Sequence, residues 1–281
     1  MGKRFQDIRK QLQTLYEGGE AQAMGFLLLE EMCGLSQADV LIGKDDEMDE
    51  NHLMELENAF NRLMKGEPIQ YVIGHTDFCG LRIEVGKGAL IPRQETEELV
   101  EAVMCCYPST ILDIGTGTGC IALALKQRFP QANVTAIDIS EEALKIARSN
   151  AERLGLDISF EQVDILNAEK PQKGVYDLIV SNPPYVCEEE RKEMEPHVLD
   201  YEPATALFVP DNHPLLFYEA ITAYAATALK NGGMLAFETN RRFAHEVGAL
   251  MADAGLIDIR VKRDVFNNER IVTGKIEKLK D

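Results

Sequence analysis

From residue 110 onward, apolar strand-like segments alternate with helical ones, and this alternation constrains the fold more than any other feature. The last two strands are joined by residues 262–269, a connection that suits a hairpin and is too short for a crossover helix. We therefore predict an α/β fold with a Rossmann-like, mostly parallel sheet whose last strand is antiparallel. Strands are predicted at 110–114, 134–138, 158–163, 178–181, 234–238, 257–261 and 270–273, with helices centred on 120–128, 141–153, 214–230 and 241–254.

The first 75 residues predict a small helical bundle. The segment 23–29 is apolar on every side, as expected for a central helix. The flanking helices carry apolar residues at helical spacing, at Phe5, Ile8, Leu12 and Leu15 and again at Leu53, Leu56, Phe60 and Leu63. This predicts a helical domain at 1–75, a β-hairpin linker at 76–92 and an α/β domain at 93–281.

The helical domain contains seven basic and fourteen acidic residues. Two interpretations stay open: a cap that stabilises the α/β domain, or a docking module for a basic macromolecule.

Charge and cysteine content restrict the partners and the compartment. The net charge of −18 disfavours avid, sequence-independent binding to nucleic acid, which usually needs a basic face. The six cysteines form no CxxC pair and no Cys/His cluster with metal-ligand spacing. No apolar run is long enough to span a membrane, and the first residues lack a signal peptide's apolar core. We expect a cytoplasmic, monomeric protein with reduced thiols, no metal, no membrane contact and no direct nucleic-acid contact.

A rigid segment, Ser181-Asn182-Pro183-Pro184-Tyr185, follows the apolar run at 176–180. Its two prolines remove two backbone donors and fix two φ angles, so the chain leaves its strand stiff and extended. The Asn182 oxygen and the Pro183 carbonyl can each accept one hydrogen of a planar NH2 group, while Tyr185 covers one face. This shelf, residues 182–185, predicts a site for an amino or amide nitrogen. A plain proline-rich turn is the alternative.

The predicted cofactor site lies at the carboxyl ends of three strands. Asp113, inside the first, suits the ammonium end of an amino acid, and Asp138, ending the second, suits two ribose hydroxyls. After the third strand, Asp164 can meet an adenine amine and Ile165 can lie on the ring. Together they predict S-adenosyl-L-methionine, with S-adenosyl-L-homocysteine as the product. A glycine-rich turn lets the backbone pass close to this ligand, at Gly115, Thr116, Gly117, Thr118 and Gly119.

A dinucleotide-dependent oxidoreductase carries a similar glycine fingerprint, so the turn alone is weak. Asp113 argues against it, since a carboxylate is unhelpful next to a pyrophosphate, and the shelf argues against it as well.

Five motifs in this order carry a closer resemblance: LIPRxETEELV at 90–100, ILDIGTGTGCIALAL at 111–125, SNPPYV at 181–186, YEPATALF at 201–208 and NERIVTGK at 268–275. The chain resembles the release factor glutamine methyltransferases, the HemK/PrmC family, over about residues 66 to 275. The resemblance implies a class I methyltransferase sheet and an N-terminal helical domain that contacts class I peptide chain release factors. It also implies methyl transfer to the side-chain nitrogen of the glutamine in the release factor's GGQ loop.

The resemblance also assigns residues. The five turn residues at 115–119 would line the cofactor, Asp138 would hold the ribose, and Asp164 and Ile165 would sit at the adenine. Asn182, Pro183 and Tyr185 would be catalytic, and with Pro184 they would grip the glutamine; Asn182 would also touch the cofactor. Arg93, Thr96 and Glu97 would lie near the methionine end or the substrate entrance. A nucleic-acid methyltransferase acting on adenine N6 or guanine N2 is the alternative, because the same shelf can hold a flipped base.

Three stretches depart from the family pattern. Gln94 replaces a proline, residues 208–214 replace a glycine-rich stretch, and residues 239–243 (Thr-Asn-Arg-Arg-Phe after Glu238) replace an Ile-Gly pair with a Gln shortly after it. None of these departures is expected to touch the shelf.

Overall fold

The computed structural model describes residues 2–277 and divides into two compact units. The first comprises the chain up to His75 together with Glu195–Tyr201, and the second comprises Thr76–Met194 and the chain from Glu202 onward. Residues 1 and 278–281, which the predicted domains 1–75 and 93–281 include, lie outside the described residues.

The first unit is helical. Phe5, Ile8 and Leu12 are buried, but Leu15 lies beyond the end of its helix and is 53% exposed, so its assignment to the apolar face was wrong. The helices are α1 (Lys3–Leu12), α2 (Gly18–Cys33), α3 (Gln37–Leu41), α4 (Glu50–Leu63), α5 (Ile69–Ile73) and, from the later segment, α9 (Pro196–Tyr201), with a 3-10 turn at Lys44–Asp46.

The second unit starts within a two-stranded hairpin of β1 (His75–Phe78) and β2 (Leu81–Glu84), one residue after β1 begins. Among the described residues, its main sheet contains β3 (Thr110–Ile114), β4 (Asn133–Asp138), β5 (Ser159–Gln162), β6 (Tyr176–Ser181), β9 (Leu229–Glu238), β10 (Leu256–Arg263) and β11 (Glu269–Ile276). These seven strands lie in the order β10-β11-β9-β6-β3-β4-β5. All neighbours pair in parallel except β11, which runs antiparallel to both β9 and β10, so the predicted last strand is confirmed.

Helices cover both faces of this sheet because its strands are apolar on both sides. Leu178 and Val180 of β6 face one core, and Ile179 between them faces the other, following the period of two. The first core is closed by α6 (Gln94–Ala102), α7 (Cys120–Arg128) and α8 (Glu141–Leu154), and the second by α10 (Leu216–Ala228) and α11 (Ala244–Asp253).

The chain order places a crevice between β3 and β6. From β3 it winds outward through β4 to β5, then returns to β6 on the other side of β3. At such a switch point the connections leave in opposite directions, so ligands bind at the carboxyl ends of the strands there. Ile114, ending β3, pairs with Ser181, ending β6, which puts the glycine turn beside the shelf.

One small element was not predicted. Strands β7 (Val186–Cys187) and β8 (Phe208–Val209) form a parallel pair directly after the shelf. No helix within residues 2–277 combines the length and apolar character needed to cross a bilayer.

Candidate functional site

The glycine turn joins β3 to α7 with a backbone that residues bearing a Cβ avoid. Gly115, Gly117 and Gly119 have φ values of 72°, 56° and 84°, in the left-handed region. The Gly115 and Thr116 amides donate to the Ile137 carbonyl at 2.8 and 3.0 Å, which ties the turn to β4. A Cβ on Gly115 would lie 4.0 Å from the Asn182 carbonyl oxygen, so the turn and the shelf adjoin.

Asn150, on α8, is a support that the sequence did not reveal. It is fully buried, and its amide donates to the Thr118 carbonyl in the turn at 3.1 Å and to the Glu84 carbonyl at 3.0 Å. Its oxygen accepts from the Glu84 amide at 2.7 Å. A polar residue on a helix face gives no signal of such a distant partner.

Asp113 is fully buried under the turn. One carboxylate oxygen accepts from the Thr116 hydroxyl at 2.6 Å and from the Ala122 amide at 3.2 Å. The other oxygen is buried and has no hydrogen-bond partner among residues 2–277. Burial raises the pKa of Asp113 to about 7, against the two hydrogen bonds, and the nearby Asp138 raises it further. A buried, unpartnered carboxylate oxygen suits a cationic donor.

Asp138 ends β4 and holds the turn with its side chain. One oxygen accepts from the Gly117 amide at 2.8 Å and the other from the Ser140 amide at 2.9 Å. Burial raises the pKa of Asp138 despite these hydrogen bonds. Each oxygen keeps a second lone pair, so Asp138 can support the turn and also accept from a diol.

The third predicted pair, Asp164 and Ile165, lies in the segment that follows β5. Asp164 accepts from the Leu166 amide at 3.0 Å and from the Asn167 side chain at 2.7 Å, so its carboxylate shapes the local turn. Ile165 is partly buried and packs against the second core. The neighbouring apolar side chains of Ile139 and Leu166 are 58% and 40% exposed.

The shelf presents Asn182 with a defined orientation. Its side-chain NH2 donates to the Thr96 hydroxyl at 3.2 Å. No side chain or backbone donor within residues 2–277 reaches its side-chain oxygen, and the Pro183 carbonyl likewise has no donor in that range. Two acceptors from consecutive residues of the shelf are therefore left without a donor among residues 2–277.

The sequence analysis missed Glu238, which ends β9 and is 1% exposed. Its two oxygens accept from the Thr96 hydroxyl at 2.7 Å and from the Tyr185 hydroxyl at 3.0 Å. Burial raises the pKa of Glu238, opposed by those hydrogen bonds and by the charge of Arg270. The sequence shows that Glu238 ends an apolar strand, but only the structure shows that this strand pairs with β6 and so brings Glu238 to the shelf.

The Tyr185 hydroxyl is fixed by its hydrogen bond to Glu238. Burial beside Glu238 raises the pKa of Tyr185 well above its ordinary value. Its phenol is therefore a donor to Glu238, and its ring packs against the second core with Arg270 6.0 Å from the ring centroid.

Arg93 and Glu97 have structural partners. Arg93 pairs with Glu202 of the YEPATALF motif, and Glu202 also accepts from the Ile91 amide at 3.1 Å. Glu97 accepts from the Cys79 amide of the first hairpin at 2.7 Å. Their assignment to substrate binding stays a prediction.

The expectation that no departure from the family pattern touches the shelf was wrong. The Asn240 side chain donates to the Tyr185 carbonyl at 3.2 Å and to Glu190 at 2.9 Å. A glycine there would lack both bonds, so this chain holds the end of its shelf through a side chain.

Within residues 2–277, no group of three or more His, Cys, Asp or Glu side chains is arranged to hold a metal ion.

Two family models and a solved structure match large parts of this chain. A family model described as a methyltransferase domain matches residues 108–277, and one described as the PrmC N-terminal domain matches residues 5–74. A solved methyltransferase from Pyrococcus furiosus superimposes with a TM-score of 0.53 at 18% identity, covering 70% of this chain and 90% of that one. This likeness concerns the fold, and the predicted methyltransferase fold is confirmed.

Two curated relatives extend over nearly the whole chain. The release factor glutamine methyltransferase of Bacteroides thetaiotaomicron is 45% identical over 95% of this chain and 96% of its own length. The protein of the same name from Flavobacterium psychrophilum is 39% identical over 93% of this chain and 94% of its own. The chain belongs to the release factor glutamine methyltransferase family.

Proposed function

We propose that this protein transfers a methyl group from S-adenosyl-L-methionine to the side-chain amide nitrogen (N5) of the GGQ glutamine in class I peptide chain release factors. The observation that carries the proposal is the pair of adjacent acceptors on the shelf, the Asn182 side-chain oxygen and the Pro183 carbonyl. A primary amide has two N–H donors, and this pair can accept both. The family names of the curated relatives support the same reaction and do not favour a nucleic-acid amine as the substrate.

The residues at the glycine turn fit the proposed cofactor. Asp113 has a buried carboxylate oxygen without a partner, which suits the ammonium of the methionine moiety. The turn residues 115–119 would lie under the ligand, with Asp138 accepting from the ribose hydroxyls. Asp164 and Ile165 would sit at the adenine. When bound, S-adenosyl-L-methionine supplies an electrophilic methyl carbon whose bond to sulfur breaks with both electrons left on sulfur.

The protein's contribution to the reaction is orientation and electrostatics. An amide nitrogen is a weak nucleophile because its lone pair is delocalised into the carbonyl. Asn182 and Pro183 would hold both N–H groups and direct the remaining lone pair away from the shelf. Positive charge develops on that nitrogen during attack, so both hydrogen bonds strengthen in the transition state. Alignment can contribute roughly 7–11 kcal/mol to such a reaction.

No strong base is needed, because the nitrogen's proton becomes acidic only once the new N–C bond has formed. The proton then leaves to water. Tyr185 would cover one face of the amide, and its hydroxyl is committed to Glu238.

The first unit is proposed to bind the release factor. Its match to the PrmC N-terminal domain supports this role. A groove of about 510 Å³ within the unit offers a mixed surface, with apolar side chains such as Ile8 and Phe60 beside charged side chains of both signs, Lys3, Arg4, Asp7, Asp46 and Glu57. We further propose that the protein acts as a monomer in the cytoplasm without contacting nucleic acid. The net charge of −18 supports the last point.

The test of the proposed function is mass spectrometry of a purified class I release factor after incubation with this protein and S-adenosyl-L-methionine. We expect one added methyl group on the GGQ glutamine. A release factor whose GGQ glutamine is replaced by alanine is the control and should gain none. No gain on the intact factor, with cofactor binding demonstrated, would overturn the proposal.

Cofactor affinity should fall on acidification. Asp113 must lose its proton to pair with the ligand's ammonium, and its pKa is about 7. Between pH 7.5 and 6 we therefore expect the affinity for S-adenosyl-L-homocysteine to fall about eightfold, measured by titration calorimetry. The dependence should vanish in Asp113→Asn. An affinity that is constant across this range in the parent protein would contradict the assignment of Asp113.

A further inference from the structure

A buried chain of hydrogen bonds runs behind the shelf and ends at Asn182. The Asn182 NH2 donates to the Thr96 hydroxyl at 3.2 Å, and that hydroxyl donates to Glu238 at 2.7 Å. Thr96 is 2% exposed and Glu238 is 1% exposed, so both hydrogen bonds are shielded from solvent at the Thr96 hydroxyl. The three residues come from α6, the end of β6 and the end of β9.

The donor and acceptor of each hydrogen bond between Asn182, Thr96 and Glu238 can be assigned from the chemistry of the side chains. A threonine hydroxyl has one proton, and a carboxylate only accepts. The proton of Thr96 therefore goes to Glu238, and the Asn182 atom that faces Thr96 must be a donor. This fixes the orientation of the Asn182 amide, whose oxygen and nitrogen are similar in shape but opposite in hydrogen-bonding role.

The other carboxylate oxygen of Glu238 is occupied as well. It accepts from Tyr185 at 3.0 Å, and an Arg270 nitrogen lies 3.5 Å from that phenol oxygen. Arg270 is itself held by Asp264 at 3.3 Å. The hydrogen bonds from Thr96 and Tyr185 and the positive charge of Arg270 favour the ionised form of Glu238 against the effect of burial, and the ionised carboxylate can only accept. Each hydrogen bond of this network is therefore donated toward Glu238, from Asn182 to Thr96 and from Thr96 to Glu238.

We propose that Thr96 and Glu238 are positioning residues that lock the Asn182 amide with its oxygen toward the substrate, and thereby select an NH2-bearing side chain over a carboxylate. The inference rests on the proposed function, since it concerns how the glutamine is recognised. A primary amide rotated by 180° has nearly the same shape but exchanges its acceptor for a donor. With NH2 outward, Asn182 would oppose the glutamine's NH2 and would favour a glutamate in its place.

The variants that test this differ by single atoms. Thr96→Val removes the hydroxyl at constant shape, and Thr96→Ser keeps it. We expect Thr96→Val to lower kcat for the release factor at least tenfold, and Thr96→Ser to stay within about threefold of the parent. The matched control is Thr222→Val, because Thr222 is also buried, in α10, and its hydroxyl has no partner among residues 2–277. It should leave kcat unchanged.

A second variant is expected to reverse the direction of the hydrogen bonds between Glu238, Thr96 and Asn182. In Glu238→Gln the new side-chain NH2 can donate to Thr96, whose proton then turns to Asn182 and rotates that amide. The readout is binding of two release factors, one with the natural GGQ loop and one with glutamate in place of its glutamine. In the parent we expect the glutamine form to bind more tightly. In Glu238→Gln we expect the ratio of the two affinities to shift at least tenfold toward glutamate.

The outcomes separate the two proposals. A parent protein that does not methylate the glutamine factor overturns both. A parent that methylates it, with an affinity ratio that stays unchanged in Glu238→Gln and Thr96→Val, overturns the positioning role alone. Thermal unfolding of each variant shows whether any loss of activity is a loss of the folded protein, which would not shift the ratio. A shifted ratio in a folded variant supports the inference.

Discussion

Replacing Asn182 with alanine is expected to lower kcat by roughly 10²–10³-fold, the effect of losing one preorganised hydrogen-bond group that acts on developing charge. The variant loses the acceptor that holds one N–H of the substrate amide, and that bond strengthens as the nitrogen becomes positive. Affinity for S-adenosyl-L-homocysteine should stay within about threefold of the parent, because Asp113 and Asp138 are unchanged. Single-turnover methylation of a release factor and titration calorimetry measure the two quantities.

The matched control is Asn133→Ala. Asn133 is exposed at the amino end of β4, whereas the shelf follows the carboxyl end of β6, so this loss of an amide should change neither quantity. Near-normal turnover in Asn182→Ala would show that the shelf does not hold the reacting nitrogen. A large loss of cofactor affinity would show that Asn182 acts chiefly on the cofactor.

Replacing Asp113 with asparagine is expected to move stability and cofactor affinity in opposite directions. The folded pKa of about 7 lies above the unfolded value of about 4. The native state therefore holds a proton that the unfolded state releases, and this stabilising contribution is lost as the pH rises from about 4 to about 7. At pH 8 the parent has a buried carboxylate without a full set of partners, and asparagine removes that cost.

We therefore expect the ligand-free Asp113→Asn protein to melt at least about 3 °C above the parent at pH 8, with roughly a third of that difference remaining at pH 5. Affinity for S-adenosyl-L-homocysteine should fall roughly tenfold to a hundredfold, the range for losing a charged hydrogen-bond partner. Melting curves of both proteins at the two pH values, with calorimetric titrations, measure these effects.

Asp177→Asn is the contrasting control. Burial alone would raise the pKa of Asp177, but hydrogen bonds from Lys230, Thr110 and Ser109 outweigh it and lower that pKa. Its ionised form is therefore stabilised in the folded protein, and asparagine there should lower the melting temperature at pH 8 without changing cofactor affinity. A variant at Asp113 that behaved like this control would show that Asp113 is a structural carboxylate.

Much of the fold could be predicted because its signals are local. A strand followed by a glycine turn and a helix is visible in residues 111–125, and a hairpin is implied by the short connection at 262–269. The predicted strands were found, although β9 begins at Leu229 and β5 is limited to Ser159–Gln162. Helix ends were less predictable, as Leu15 shows, because spacing alone does not mark where a helix stops.

About half of the candidate site could likewise be predicted from short stretches of sequence. Asp113, Asp138 and Asn182 each stand at or near the end of an apolar run, and parallel strands bring their carboxyl ends to one edge. Glu238 was missed because its contacts with the shelf depend on which strands are neighbours in the sheet. Asn240 was judged remote because nothing in the chain indicates that its side chain reaches the Tyr185 carbonyl.

The sequence by itself determined the strand and helix pattern, the stiff exit of β6 and the kinds of group at each strand end, because backbone restrictions and apolar periodicity act within a few residues. Only the tertiary structure decided which of these groups meet. Thr96 lies 86 residues before Asn182, and Asn182 lies 56 residues before Glu238. The three side chains nevertheless form one hydrogen-bond network. A hydrogen bond has a direction that depends on every partner at once, so the facing of the Asn182 amide is a property of the folded protein.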